Sequence, residues 1–162
     1  MPRRLLRDGQ IVDDDWSYAA DAAVDPQAPL IVPFAKWQYE RETWLAGRRP
    51  RLGVLLSPEH NVAALAADLP RLALIGLEFS GPGEGRGYSQ ARQLRERWNF
   101  GGELRAVGYV RSDQIFFMAR CGFNSFELAD ADIGAAQPAL SAFSSAYQPS
   151  NDAGLPARLR RG

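Results

Sequence analysis

Lysine is almost missing from this chain. Of its 19 basic residues only Lys36 is not arginine, which leaves little room for Schiff-base chemistry or for the lysine of a phosphate-binding P-loop. Cysteine and histidine are as scarce, with one of each, Cys121 and His60. An internal disulfide, a CxxC redox pair, a Cys/His zinc site and a four-cysteine iron–sulfur cluster are thereby excluded within the chain. No apolar run approaches the ~20 residues that span a bilayer, and Met1–Asp8 has no apolar stretch of a secretory signal. Net charge is missing too, since 19 acidic residues balance the 19 basic ones. No global field points to nucleic acid or to an anionic membrane. The expectation is a cytoplasmic protein without metal, in which any anion site is local.

What is present is an ordinary globular composition, 46% hydrophobic and 23% charged over 162 residues, enough for one sizeable core. Asp8-Gly9 between Leu5-Leu6 and Ile11-Val12 is a strong hairpin signal. With the polar segment that follows, it forms an N-terminal hairpin and linker over 1–29. From Leu30 a strand–helix rhythm begins. Strands are read at Leu30–Pro33, Arg51–Leu56, Leu72–Phe79, Glu103–Val110 and Ser125–Leu128. Helices are read at Phe34–Ala46, from Ser57-Pro58 to Leu69, at Tyr88–Trp98, from Ser112 to Arg120 and at Ile133–Phe143. Five such units predict an α/β domain over 30–148 with a five-stranded, mainly parallel sheet. The sheet is either open and doubly wound or part of a (β/α) barrel, whose uncovered edges would suit a homo-oligomer. Residues 149–162 read as a polar, flexible tail.

The densest signal lies between the third strand and its helix, at Gly81-Pro82-Gly83-Glu84-Gly85-Arg86-Gly87-Tyr88-Ser89. Four glycines in seven residues let the backbone approach a ligand closely. The position matches the carboxyl ends of strands where parallel α/β folds bind. Arg86 and Arg92 stand near the positive end of a helix, which suggests a negative partner. Gly83, Gly85, Arg86, Gly87, Ser89 and Arg92 are therefore candidate anion ligands, through loop N–H groups, a hydroxyl and guanidinium forks. Glu84 is a candidate acid or base. Against this stands a plainer reading, in which Glu84 neutralises an arginine and the loop is a turn. The loop fits neither GxGxxG, because Tyr88 stands at the third glycine, nor a Walker A motif.

A second candidate is the end of the fourth strand, where Arg111 and Gln114 would share a rim with the glycine loop; alternatively Ser112 and Asp113 only start a helix. Cys121, among Phe117, Met118 and Phe123, reads as a small buried hydrophobe. His60 has no companion at ligand spacing and reads as a surface residue. Asp13-Asp14-Asp15 reads as a solvated turn, and Phe34, Trp37 and Trp44 as core or interface anchors.

These residues carry a resemblance. Asp8–Trp16, Gly85–Arg95, Gly102–Gly108, Asp113–Phe117, Arg120–Phe123 and Ala146–Pro149 resemble the bacterial domain of unknown function 934 family, whose members are commonly labelled as oxidoreductases involved in sulfite reduction. The resemblance spans nearly the whole chain, and Gly-Arg-Gly-Tyr-Ser-x-Ala-Arg is its most specific block. It implies a place in sulfur assimilation beside sulfite reductase, and it brings no catalytic residues. Glu84 and Tyr109 stand where the resemblance leads one to expect aspartate.

Two functions follow as expectations. One is an accessory protein of sulfite reduction that binds a small oxyanion or a partner, sulfite reductase foremost, without carrying electrons. The other is an enzyme, an oxidoreductase by label, acting on an anionic or sulfated-nucleotide metabolite. No cofactor is predicted, and a noncovalent flavin on the rim stays open.

Overall fold

The computed structural model describes residues 3–19, 27–47, 51–129 and 132–136. Asp8 and Gly9 both take left-handed backbone, φ 52° and 83°, as a two-residue hairpin turn requires. They join β1 (Arg3–Arg7) to β2 (Gln10–Val12). Six strands follow: β3 (Ser17–Tyr18), β4 (Leu30–Pro33), β5 (Leu52–Leu56), β6 (Leu74–Phe79), β7 (Glu103–Gly108) and β8 (Ser125–Ala129). All eight belong to one sheet in the order β2-β1-β8-β7-β6-β5-β4-β3. From β3 to β8 every pairing is parallel. β1 pairs antiparallel with both β2 and β8.

The five-stranded expectation is thus corrected to an eight-stranded mixed sheet. The five predicted strands are its contiguous parallel centre, β4 to β8. Three strands join them, the predicted hairpin β1–β2 and the short β3. Ser17–Tyr18 is too brief to show alternation, and β1 joins β8 across nearly the whole described chain. The hairpin belongs to the main sheet. Expectations for 137–148 and for the tail fall outside the described residues.

Each predicted helix has a helical segment among the described residues, but several are 3₁₀ or π rather than α. α1 (Phe34–Ala46) agrees with the predicted span. Pro58 lies in a turn, and a 3₁₀ helix over Val62–Arg71 begins only after Asn61, whose side chain accepts from the Ala63 N–H at 2.9 Å. α2 (Arg86–Arg92) continues as a π turn over Gln93–Arg97. A 3₁₀ turn at Ser112–Gln114 leads into α3 (Ile115–Cys121), and 132–136 are helical. Among the described residues no helix is long and apolar enough to cross a membrane.

Strand alternation sorts the sheet into two faces. Leu30, Val32, Val54, Ile75, Leu77, Leu104, Ala106, Phe126 and Leu128 share one core with Phe34, Trp37, Leu65, Ala91, Leu94, Ile115, Met118 and Ile133. Every described helical segment therefore packs on one face. With strands β4 to β8 laid down in sequence order, the sheet is wound in one direction, and the doubly wound alternative falls. The opposite face holds Ile31 and Leu74 under Trp16, with Arg105 in the centre of β7.

That second face is concave. The Tyr18 hydroxyl on β3 donates to Glu127 on β8 at 2.6 Å, although four strands lie between them. Arg105 is fully buried beside them. Its Nη1 donates to Asp14 at 3.0 Å and Glu127 at 3.2 Å, and its Nη2 to Glu103 at 3.1 Å. The aspartate run is part of this closure, because residues 13–16 cross from β2 to β3 over the hollow. Asp14 reaches Arg105, Asp15 pairs with Arg51 at 2.6 Å, and the Arg51 guanidinium lies 5.4 Å from the Trp16 ring. The sheet is a curled, partial barrel whose interior is filled by a polar knot.

Candidate functional site

Parallel strands deliver their following loops to one rim, and here the β6 and β7 loops enclose a cleft of about 390 Å³. β6 ends at Phe79, and the chain turns through Gly83, at φ +82°. The Glu84 N–H donates to the Gly81 carbonyl at 3.2 Å. The Glu84 carboxylate then folds back on the start of α2. It accepts from the Arg86 backbone N–H, Nε and Nη2, each at 3.0 Å, and from Ser80 Oγ at 3.4 Å. These Arg86 hydrogen bonds, side chain first and backbone second, hold its pKa at about 2. The helix start thus carries its own carboxylate.

The facing wall depends on a glycine. Gly108 closes β7 at φ +89°, and a Cβ there would sit 2.5 Å from the Phe79 carbonyl oxygen. The Tyr109 N–H donates to that oxygen at 2.7 Å, and the Val110 N–H donates to the Gly108 carbonyl at 3.0 Å. This tight turn buries Val110 and leaves Tyr109 and Arg111 on the rim. The Arg111 guanidinium lies 5.9 Å from the Tyr109 ring centre and its Nε is 3.7 Å from Asp132.

Between the walls stands Tyr88, tilted against Phe79 at 5.1 Å and Phe117 at 4.8 Å. Its hydroxyl donates to Gln114 Oε1 at 2.8 Å, which orients the amide so that its N–H₂ points elsewhere. Burial raises the Tyr88 pKa, helped by Cys121 and Asp113, so the hydroxyl keeps its proton in the neutral range.

Of the residues nominated from the sequence, Gly83, Glu84, Gly85, Arg111 and Gln114 line this cleft. Arg86 and Ser89 line a separate groove of about 370 Å³ beside His60 and Gln90. There the Gln90 amide donates to the Ser57 and His60 carbonyls at 3.0 and 2.9 Å. His60 is half-buried, its Nδ1 accepts the Ser57 N–H at 3.0 Å, and its ring lies 4.7 Å from Phe34. Gly87 is buried against Phe79, where a Cβ would come within 2.6 Å of the ring. Arg92 reaches Glu96 at 3.7 Å and hydrogen-bonds toward Cys121. Cys121 is buried, and that burial raises its pKa.

Tyr88, Tyr109 and Asp113 join the cleft without having been nominated. The signal for Tyr109 was its place directly after a strand-ending glycine. Among the described residues no group of three or more His, Cys, Asp or Glu is arranged to hold a metal.

Residues 53–158 match the family described as bacterial protein of unknown function (DUF934). The chain belongs to this family. The matched span holds both walls of the cleft and Arg105, and it begins within β5. No curated protein matches the chain.

Proposed function

We propose that this family member is an accessory protein of sulfite reduction that holds an oxyanion, free or carried by a metabolite or a partner such as sulfite reductase, in the cleft between the glycine loop and Tyr109–Gln114. The carrying observation is the placement of Arg111, half-exposed, on the same rim as the loop. Its planar fork suits an oxyanion. Gln114 N–H₂ adds neutral donors, while Glu84 and Arg86 satisfy each other. The pathway rests on the family resemblance, and in this reading the partner carries the electrons. An enzyme that used Glu84 as acid or base has less support, because that carboxylate is bound to Arg86 and stays ionised down to about pH 2.

The test is thermal unfolding with sulfite, sulfate, phosphate, adenylyl sulfates and flavin or nicotinamide nucleotides, for wild type and Arg111→Ala. A ligand at a hundredfold over its Kd adds about 2.7 kcal/mol, a shift of several degrees at this size. A shift abolished in Arg111→Ala supports the cleft. No shift with any ligand, together with no association with sulfite reductase, overturns the reading.

A further inference from the structure

The cleft is a poor receptacle for a bare inorganic anion. Its lining holds one arginine, Arg111, against the carboxylates of Glu84 and Asp113. Glu84 is neutralised by Arg86 at 3.0 Å, and Asp132 draws on Arg111 at 3.7 Å. A small dianion would meet a single, shared cation. The apolar part of the lining is better developed, with Phe79, Tyr88, Tyr109 and Met118. Tyr109 is 38% exposed, although it follows a glycine turn and its backbone N–H is fixed to Phe79. Donors and acceptors flank these rings, since Tyr88 fixes the Gln114 amide and Asp113 stands one residue away.

Resting on the cleft reading above, we infer that the site takes a planar heteroaromatic ring bearing one anionic group, as in a nucleoside monophosphate. The ring lies against Tyr109, its polar edge meets Gln114 N–H₂ and the Asp113 carboxylate, and its anionic group meets Arg111. The volume of about 390 Å³ falls in the range of small-molecule sites, about 300–1,000 Å³. Aromatic stacking tolerates many ring systems, so the class is better defined than the base.

The experiment is calorimetric titration of the full chain with AMP, GMP, UMP and FMN, with adenosine as the uncharged probe and inorganic phosphate as the bare anion. At least one ring-bearing monophosphate should bind tenfold or more tightly than phosphate. Tyr109→Ala should weaken that binding about tenfold, while Tyr109→Phe keeps it. Arg111→Ala should erase the advantage of AMP over adenosine. Circular dichroism melts show whether each variant is folded, and Tyr109→Leu, which removes the ring but keeps most of the bulk and should weaken binding likewise, serves where Tyr109→Ala is not. Phosphate binding as tightly as the nucleotides would overturn the ring inference and leave the cleft reading standing. Nucleotide binding untouched by a folded Tyr109→Ala places the ligand elsewhere and overturns it too. Silence from every probe overturns the ring inference, while the cleft reading is decided separately by the sulfite, sulfate and adenylyl sulfate melts and by association with sulfite reductase.

Discussion

The hydroxyl of Tyr18 and the carboxylate of Glu127 meet at 2.6 Å from strands that are not neighbours, and this bond fastens the two sides of the curled sheet. It ends on a carboxylate that also holds Arg105, so the closure and the central ion cluster form one network. Hydrogen bonds to charged groups contribute about 1.5–3 kcal/mol. Tyr18→Phe should therefore lower Tm by roughly 3–12 °C. Burial first, then Glu127, raises the Tyr18 pKa above its ordinary value of 10.0. The neutral phenol is favoured in the folded state, so this stabilisation is full below pH 10 and is lost as pH rises beyond it. Melts from pH 8 to 11 should show a steeper alkaline fall in wild type than in Tyr18→Phe.

Arg105 sits fully buried among Asp14, Glu103 and Glu127. Removing this cation leaves the carboxylates of Asp14, Glu103 and Glu127 facing one another, with Arg7 still 3.6 Å from Glu103. Breaking such a buried cluster typically costs about 3–5 kcal/mol. Urea unfolding of Arg105→Met should show a loss of that size. A loss below about 1 kcal/mol would mean that the carboxylates are not held together by this side chain.

Glu84 predicts an acid dependence of the opposite sign to that of Tyr18. Its pKa is lowered from 4.5 to about 2, by the Arg86 side chain first and its backbone N–H second. The stabilisation is full above pH 4.5 and disappears as pH falls through about 2. In Glu84→Gln the slope of Tm against pH across that window should flatten. Hydrogen exchange at the Arg86 amide should quicken at neutral pH. An unchanged slope would show that the carboxylate is free in solution.

The glycines of the loop should respond unequally to alanine. A Cβ at Gly85 meets nothing within 4 Å, whereas at Gly87 it would lie 2.6 Å from the Phe79 ring. Gly85→Ala should be nearly silent, and Gly87→Ala should lose about 1–3 kcal/mol by overpacking. Gly83 has open space but φ +82°, so alanine there should cost about 1 kcal/mol through the backbone alone. Chemical denaturation of the three variants separates these cases.

The parallel centre of the sheet was legible because short, largely buried strands of four to six residues alternate with glycine and proline stops. α1 was legible to the residue. The polar interior was not. Arg105 interrupts a strand in which Leu104 and Ala106 face the helical core, and nothing local says that its partners come from Asp14 and Glu127. Asp13-Asp14-Asp15 looked like a solvated turn because the crossing it makes exists only once β2 and β3 occupy opposite edges. At the site, the loop, Arg111 and Gln114 were found from glycine spacing and shared rim position. Arg86, Ser89 and Arg92 were grouped by helical proximity, but Arg86 and Ser89 face the groove beside His60 and Arg92 reaches Glu96, away from the cleft. Tyr109 needed the backbone turn at Gly108, a tertiary feature.

The pairing of Arg3–Arg7 with Ser125–Ala129 also sets a timetable. As the chain leaves the ribosome, β4 to β8 can each settle beside the strand just made. The ribbon that precedes them all must wait until β8 appears. Until then Glu127 is not there to join Tyr18 to Arg105, the hollow stays unlatched, and the β7 edge that β8 will cover is open to other chains. A nascent protein halted before β8 is therefore a sticky, unlatched object, and the last strand to be synthesised releases the first one from waiting.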